Sequence, residues 1–369
     1  MKRFFLTLAV AALSLGTRAQ QLSPDSISMY DEIQKIEVVA SRATSKTPVA
    51  YTNLSREDIA RNNYGLDIPS LLALTPSMIA TNETGIGIGG TSMRLRGTDA
   101  TRLNVTINGM PLNNPDSHST YWYDTPDVIS VVEDVQVQRG AGLSTNGTGA
   151  FGGAVNMRTS QPQTTFGGDA TFSYGSFNTN KQAVHIASGL LGDHWMVDAR
   201  LTHIGSDGYI DRGATDLKSY MLQGGYFSDR TTVKLISFGG KAKTYLTYTG
   251  VTKEEMELYG RRYHTEGQYE TSHGPYVLAD GTHVDYYDDQ TDNYLQINNQ
   301  LIVNHRLSDR WTLSATGFYT YGYGYYKQYK DQRTLLEYMN MGIDDYSVEA
   351  DMIRRKIMRN HTYGVNGSV

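Results

Sequence analysis

The chain has 369 residues, a net charge of −5, a mean hydropathy of −0.44 and no cysteine. Without cysteine there is no disulfide framework, no zinc–thiolate centre and no cysteine nucleophile, so packing and backbone hydrogen bonds must hold the fold. The mildly acidic balance gives no reason to expect a nucleic-acid partner.

The first segment, "MKRFFLTLAVAALSLGTRAQ", sets Lys2 and Arg3 before an apolar run from Phe4 to about Leu15 and closes on small residues. That is the layout of a secretory signal peptide, here residues 1–19. The run falls short of the ~20 apolar residues that span a bilayer as a helix. Residues 20–35 form a short segment ahead of the first folded unit.

Residues 36–160 mix helical and extended signals. "LSREDIARNN" (54–63) predicts a short helix, with Ser55 as N-cap and Asp58 three residues on, a weaker form of the capping box. "DIPSLLALTPSM" (67–78) predicts a second, with Pro69 in its first turn. Short strands are expected in "SMRLRG", "LNVTING", "VVEDVQVQRG" and "GGAVNMRT". Together these make a compact α+β domain of about 120 residues, large enough for its own core. Within it, Gly147-Thr148-Gly149-Ala150-Phe151-Gly152 is a literal G-x-G-x-x-G after a strand. A dinucleotide site needs those glycines to open a helix, with a carboxylate about 20 residues further on. Here "AVNMRTSQPQ" follows with no helical run, and Phe172 occupies the carboxylate position. The glycines are expected to serve tight turns and close backbone approaches instead.

After residue 160 the composition changes: five of the 27 tyrosines precede it and 22 follow. From about 168 the hydrophobic period is two. Trp311, Leu313, Ala315, Gly317, Tyr319, Tyr321, Tyr323 and Tyr325 share one face, against Thr312, Ser314, Thr316 and Thr320. Three tight, similar turns, "LGDHW" (191–195), "FSDRT" (227–231) and "LSDRW" (307–311), alternate with long links at about 205–217, 247–290 and 328–360. This places strands at about 168–177, 181–191, 195–204, 218–227, 231–246, 291–307, 311–327 and from 361 onward. All tight Asp turns then lie on one side and all long links on the other, joined there only by the short turn 178–180. Short turns on one side and long loops on the other characterise outer-membrane barrels. Trp195 and Trp311 each follow a tight turn, where an interfacial aromatic girdle belongs. An open edge in lipid leaves backbone groups unpaired, and "YGVNGSV" stops in mid-pattern, so further strands beyond residue 369 are expected.

These residues carry a family resemblance. "MRLRGTDATRLNVTINGMPLNN" (93–114) and "VEDVQVQRGAGLSTNGTGAFGGAVNMRT" (132–159) resemble the two plug signatures of TonB-dependent outer-membrane receptors. "KIEVVASRA" (35–43) is similar to that family's TonB box merged with the plug start, and "IGSDGYIDR" (204–212) to an early barrel element. The resemblance implies an α+β plug at 36–160 followed by an antiparallel transmembrane β-barrel at 161–369. About eight of the family's roughly 22 strands would be present. It implies a bacterial outer-membrane location, with residues 20–35 in the periplasm. The implied partners are outer-membrane lipid, an extracellular ligand, and TonB with its proton-driven inner-membrane complex. No cofactor is implied, and no Ser/His/Asp set, zinc signature or carboxylate pair suggests an enzyme.

The same resemblance directs attention to particular residues. Ile36, Glu37, Val38, Val39 and Ala40 are the TonB-box candidate, which would add as a strand to the partner's sheet edge; an ordinary first plug strand is the alternative. Arg94, Arg96, Arg102 and Arg139 are candidates to pair with carboxylates of the barrel wall, since the guanidinium fork suits bidentate contacts. Asn113, Asn114, His118, Tyr121, Trp122 and Tyr123 sit in a plug loop expected to face outward and touch ligand. The long link 247–290 is rich in Tyr and His. Its "DYYDDQTD" lacks EF-hand spacing, so no calcium site is expected. A ferric siderophore is the family's commonest cargo. Glycan, peptide, haem and cobalamin are the alternatives, and a non-transporting adhesin or docking surface is the runner-up.

Overall fold

The computed structural model describes residues 42–141, 149–334 and 347–369. The expected leader, the segment 20–35 and the TonB-box candidate at 36–40 lie outside the described residues.

The first unit is built from β1 (Ala50–Leu54), α1 (Arg56–Asn62), α2 (Ile68–Leu72), β2 (Met78–Asn82), β3 (Thr91–Leu95), β4 (Leu103–Ile107), β5 (Met110–Pro111), β6 (Val132–Arg139) and β7 (Gly153–Thr159). Its main sheet runs β1-β6-β7-β4-β5, and β2 and β3 form a separate hairpin. β4 and β7 are parallel; the other pairs are antiparallel. α1 forms where its capping signal stands. The Ser55 hydroxyl accepts from the Asp58 N–H at 3.3 Å, and the Asp58 carboxylate accepts from the Ser55 N–H at 3.0 Å. α2 is much shorter than the stretch 67–78 suggests. Pro76 biases Thr75 away from helical backbone, and Met78 has already entered β2.

Asp67 precedes α2 and is 7% exposed, with the Thr91 hydroxyl donating to its Oδ2 at 3.0 Å. Burial raises its pKa from 3.8 to about 7, against the opposing hydrogen bonds from Thr91 and the Gly89 backbone. A carboxyl whose folded pKa is raised favours the protonated fold. Its stabilisation is complete below 3.8 and is lost as pH rises through about 7. Asp67→Asn is therefore expected to stabilise the folded protein by a few kcal/mol at about pH 8 and to do little at about pH 4. Thermal midpoints at the two pH values measure this, and a difference independent of pH would refute it.

The second unit begins with β8 (Phe166–Tyr174), β9 (Asn180–Ser188), β10 (Trp195–Ser206), β11 (Thr215–Phe227) and β12 (Thr231–Tyr245). The long link after β12 folds into α3 (Lys253–Tyr259) and a small sheet of β13 (Gln268–Glu270), β14 (Tyr276–Val277) and β15 (His283–Tyr286). Then come β16 (Thr291–Ser308), β17 (Trp311–Thr334) and β18 (Glu349–Ser368). Eight strands make one antiparallel sheet in the order β18-β17-β16-β12-β11-β10-β9-β8. The three Asp turns all fall at one end and the long links at the other. β17 runs past 327, and the last strand begins at Glu349, twelve residues before the expected 361. Most of the expected link 328–360 is thus a paired extension of two strands, from Gln328↔Arg354 to Thr334↔Glu349. Its sequence is charged on both faces because the strands there run beyond any apolar band, so alternation fades.

The sheet has two faces. Trp195, Val197, Leu201, Leu222, Leu235, Leu301 and Trp311 point outward and are exposed. The inward face packs on the first unit: Met221, Ile236, Phe238 and Ile302 share one core with Ile68, Leu72, Leu103, Ile129 and Val135. No helix among the described residues is long and apolar enough to cross a membrane, which says nothing about strands.

A polar cleft and a buried latch between plug and wall

Two loops of the first unit point to the long-link end. The turn 83–90 is locked by Asn82, whose Oδ1 accepts from the Ile86 and Gly87 N–H groups at 2.8 and 2.9 Å. The Tyr209 and Ile210 N–H groups, in the link after β10, donate to the Thr84 carbonyl at 2.9 and 3.2 Å. The loop 111–125 lies against β16, β17 and β18. Between them is a cleft lined by Asn114, Thr120, Tyr121 and Asp124 on one side and Tyr294, Asn298, Thr320 and Asn360 on the other. Three buried polar atoms there lack a protein partner: Thr120 Oγ1, Asp124 Oδ1 and Asn298 Nδ2. Burial pushes the Asp124 carboxyl well above the ordinary carboxylate range, and neighbouring Asp292 adds to the rise. No Lys or Arg lines the cleft among the described residues. The surface offers hydrogen-bond donors and acceptors but no fixed positive charge.

The six residues singled out in this loop divide. Tyr121 and Asn114 line the cleft. His118 is exposed and does not line the cleft; it takes left-handed backbone with φ 55°. The Tyr123 hydroxyl donates to Asp292 Oδ2 at 3.3 Å, tying loop to wall. Asn113 also lines the cleft, but its amide is spent on the loop itself. Its Oδ1 accepts from the Val105 N–H at 2.7 Å, and its Nδ2 donates to the carbonyls of Leu103 and His118 at 2.9 and 2.8 Å. Trp122 is 2% exposed inside the core and has no surface to offer a ligand.

None of the four arginines makes a hydrogen bond or ion pair to a barrel strand among the described residues. Arg94 and Arg96 are exposed, because they alternate with the buried Met93 and Leu95. Arg102 pairs with Asp99 in the same loop at 2.7 Å. Arg139 donates to the Pro76 carbonyl at 3.0 Å and to the Thr52 hydroxyl. The ion pair that joins the two units has the opposite polarity. Lys181, on the inward face of β9, donates to Asp127 Oδ1 at 2.7 Å, Ser130 Oγ at 2.8 Å and Asn63 Oδ1 at 3.1 Å. The Lys181 and Asp127 side chains are 3% and 1% exposed. Lys234 of β12 is fully buried and donates to Gln161 Oε1 at 3.0 Å. Asn108 donates to Gln300 Oε1 of β16 at 2.8 Å. Sequence reading missed Lys181, although alternation places it inward with Ala183 and Ala187; Asp127, its partner, carried no sequence signal.

A compact α+β unit docked on the inner face of an antiparallel, outwardly apolar wall defines a plugged-barrel fold. Residues 43–154 match the family model described as the TonB-dependent Receptor Plug Domain. The chain carries that plug domain, joined to the wall fold of the same receptors. Among solved structures it is similar to the siderophore receptor PirA from Acinetobacter baumannii, with TM-score 0.60 and 13% identity over 89% of this chain and 46% of that one. It is also similar to the open form of the ferric-catecholate import receptor Fiu from E. coli K12, with TM-score 0.59 and 17% identity over 88% of this chain and 46% of that one. The copper transporter OprC gives TM-score 0.55 and 15% identity over 88% of this chain and 44% of that one. The chain thus spans under half the length of each. No curated protein matches it in sequence.

Proposed function

We propose that the chain is part of a TonB-dependent outer-membrane importer that takes up a scarce nutrient, with a ferric siderophore as its cargo. The observation that carries the transport reading is the plug itself, seated on the inner wall through a shared apolar core and a set of polar contacts, with its loops turned to the long-link end. PirA and Fiu, by name a siderophore receptor and a ferric-catecholate importer, support the cargo assignment. TonB acts on residues 36–40 in this reading, which precede the described residues in the chain. The test is growth on a supplied ferric siderophore as sole iron source. Loss of growth on deleting 36–40 or TonB is the expected result, and undiminished growth would favour a docking surface that does not transport.

The cleft favours a second cargo reading. A polyanionic ferric complex calls for cations, and this lining supplies Asp124, Asn114, Asn298 and tyrosines instead. A neutral or cationic ligand rich in hydrogen-bonding groups, such as a glycan or peptide, suits it better. Asp124→Asn keeps the acceptor and removes the ionisable group. It is expected to leave binding of a neutral glycan within about threefold and, at pH high enough to ionise Asp124 against its raised pKa, to weaken a cationic peptide about tenfold or more, the scale of a lost charge-assisted bond. Titration of both probes against wild type and variant decides. Wild-type binding of neither, with ferric-siderophore binding intact, would return the assignment to iron.

A further inference from the structure

The seam between plug and wall opens again below the cleft. A cavity of about 220 Å³ lies between α1, the start of β6 and the inward faces of β9, β10 and β11. A space of ~10–15 Å³ already admits one water, so this one has room for a group of several heavy atoms. Its two deepest polar residues, Asp198 and Gln223, stand near the Asp-turn ends of β10 and β11, away from the cleft. A constriction of about 10 Å³ lies between the two spaces. It shares Thr125 with the cleft, and Arg200 and Met221 with the cavity. Asp127, the plug half of the latch, stands in its wall. The three spaces thus follow one another along a single seam.

The cavity holds two buried acceptors with nothing to accept from. Asp198 and Gln223 are cross-strand neighbours on one face, 4% and 2% exposed. Asp198 Oδ2 accepts from the Gln163 N–H at 3.2 Å and from Gln223 Nε2 at 3.5 Å. Asp198 Oδ1 and Gln223 Oε1 have no protein partner. The carboxylate fixes which end of the amide turns toward it, so both orphans are acceptors, set side by side. Among the described residues no cation takes up Asp198 Oδ1. Of the two guanidinium groups in the lining, that of Arg56 pairs with Glu133 at 2.8 Å and that of Arg200 approaches Asp169 at 3.5 Å. His185 Nε2 is 3.6 Å from Asp198 Oδ2, beyond hydrogen-bond range. A carboxylate buried this far is costly until charge-assisted donors reach it.

We propose that the cavity is a second binding site, distinct from the cleft, for a primary ammonium group such as a lysine side chain or the amino terminus of a peptide. An ammonium carries three N–H donors and no acceptor. Two of them satisfy Asp198 Oδ1 and Gln223 Oε1, and its charge matches the carboxylate. A carboxylate or phosphate would meet Asp198 with like charge and bring no donors. Place in the seam gives the site its role. Cargo that enters at the cleft and passes Asp127 reaches Asp198 next, so the cavity is a holding station on the way to the Asp-turn end. The role rests on the import reading with a peptide as cargo; the binding does not.

The binding test titrates the full-length receptor, extracted in mild detergent, with n-butylammonium chloride in a calorimeter. Asp124→Asn is the background throughout, so that the cleft offers no carboxylate. Saturable binding is expected there. Adding Asp198→Asn should weaken it at least about tenfold, the scale of a lost charge-assisted hydrogen bond. Adding Gln223→Met, which keeps the bulk and removes the acceptor, should weaken it about threefold or more. Tetramethylammonium, a cation without N–H donors, should not bind. No saturable binding in the background, equal affinity after Asp198→Asn, or equal binding of tetramethylammonium would each overturn the proposal. Folding is checked by the heat-modifiable gel mobility of a closed barrel, and if Asp198→Asn lacks it, Gln223→Met carries the comparison. The role is read in cells with labelled trilysine. Asp198→Asn should leave its binding at the cell surface unchanged and slow its accumulation at least about tenfold. Unchanged accumulation would overturn the station on the route. Wild-type cells that bind no trilysine, while the purified receptor still binds butylammonium through Asp198, would count against the peptide-import reading and not against the site.

Discussion

Lys181→Met is expected to loosen the plug from the wall by about 3–5 kcal/mol, the usual consequence of stripping one partner from a buried ion pair. The substitution keeps the length of the side chain and its apolar stem. What it removes is the only cation facing Asp127 among the described residues, whose carboxylate is 1% exposed and whose Oδ2 already lacks a hydrogen bond. The Ser130 hydroxyl still donates to Asp127 Oδ1 at 2.7 Å, but one neutral hydrogen bond does not offset a buried charge. Asp127→Asn should then rescue the first variant. The double variant leaves no buried charge, and Asn, like Asp, tolerates the left-handed backbone that this position adopts with φ 54°. Hydrogen exchange over α1 and residues 125–131 is the measurement. Faster exchange in Lys181→Met, restored toward wild type in the double variant, is the expected pattern. Wild-type exchange in the single variant would show that the pair contributes nothing to docking. In cells the loosened plug should admit large antibiotics that the wild-type barrel excludes.

How much of this was legible in the sequence depended on whether the signal was local. The wall was: period-two alternation in β10 and β16, with three Asp turns, fixes strand faces and which end carries the long links. α1 was legible too, because Ser55 and Asp58 satisfy each other within one turn. β18 was hidden where Arg354, Arg355 and Lys356 interrupt the apolar rhythm, at a height where neither face needs to be apolar. The length of α2 was misjudged because the apolar run through Leu74 outweighed Pro76. The latch was invisible for another reason. Lys181 and Asp127 are 54 residues apart and belong to different units, so nothing near either one announces the other. The arginine expectation shows the converse. In "SMRLRG" the buried Met93 and Leu95 alternate with Arg94 and Arg96, a local sign that both arginines point away from the plug core. That sign does not say what stands opposite them.

Gly153→Ala is expected to be the most damaging single methyl in the plug. An added Cβ would lie 2.5 Å from both the Gln138 carbonyl oxygen and Leu95 Cδ2. The first is ladder backbone of β6 and the second is a fully buried core side chain, so neither can step aside. β7 sits between β6 and β4 in the plug sheet, and pushing it away parts the two halves. The cost should reach or exceed the ~3 kcal/mol upper end of ordinary overpacking. It should appear as a loss of folded receptor, or as a thermal midpoint lower by many degrees. Gly152→Ala meets a different neighbour: its Cβ would lie 2.1 Å from Thr98 Oγ1, 2.9 Å from Thr98 Cβ and 3.1 Å from the Arg102 carbonyl oxygen. Thr98 is the removable part of that clash. Thr98→Gly, which removes both the hydroxyl and the Cβ, should therefore recover much of the stability lost in Gly152→Ala and none of that lost in Gly153→Ala. The double-mutant cycle separates two explanations of the glycine-rich stretch. If the glycines serve close backbone approach, Gly152 and Thr98 couple strongly and with the sign of a relieved clash. If they were kept to cradle a phosphate, the two positions would be additive in stability, and the strand that follows Gly152 in place of a helix N-terminus would have no reason to be there.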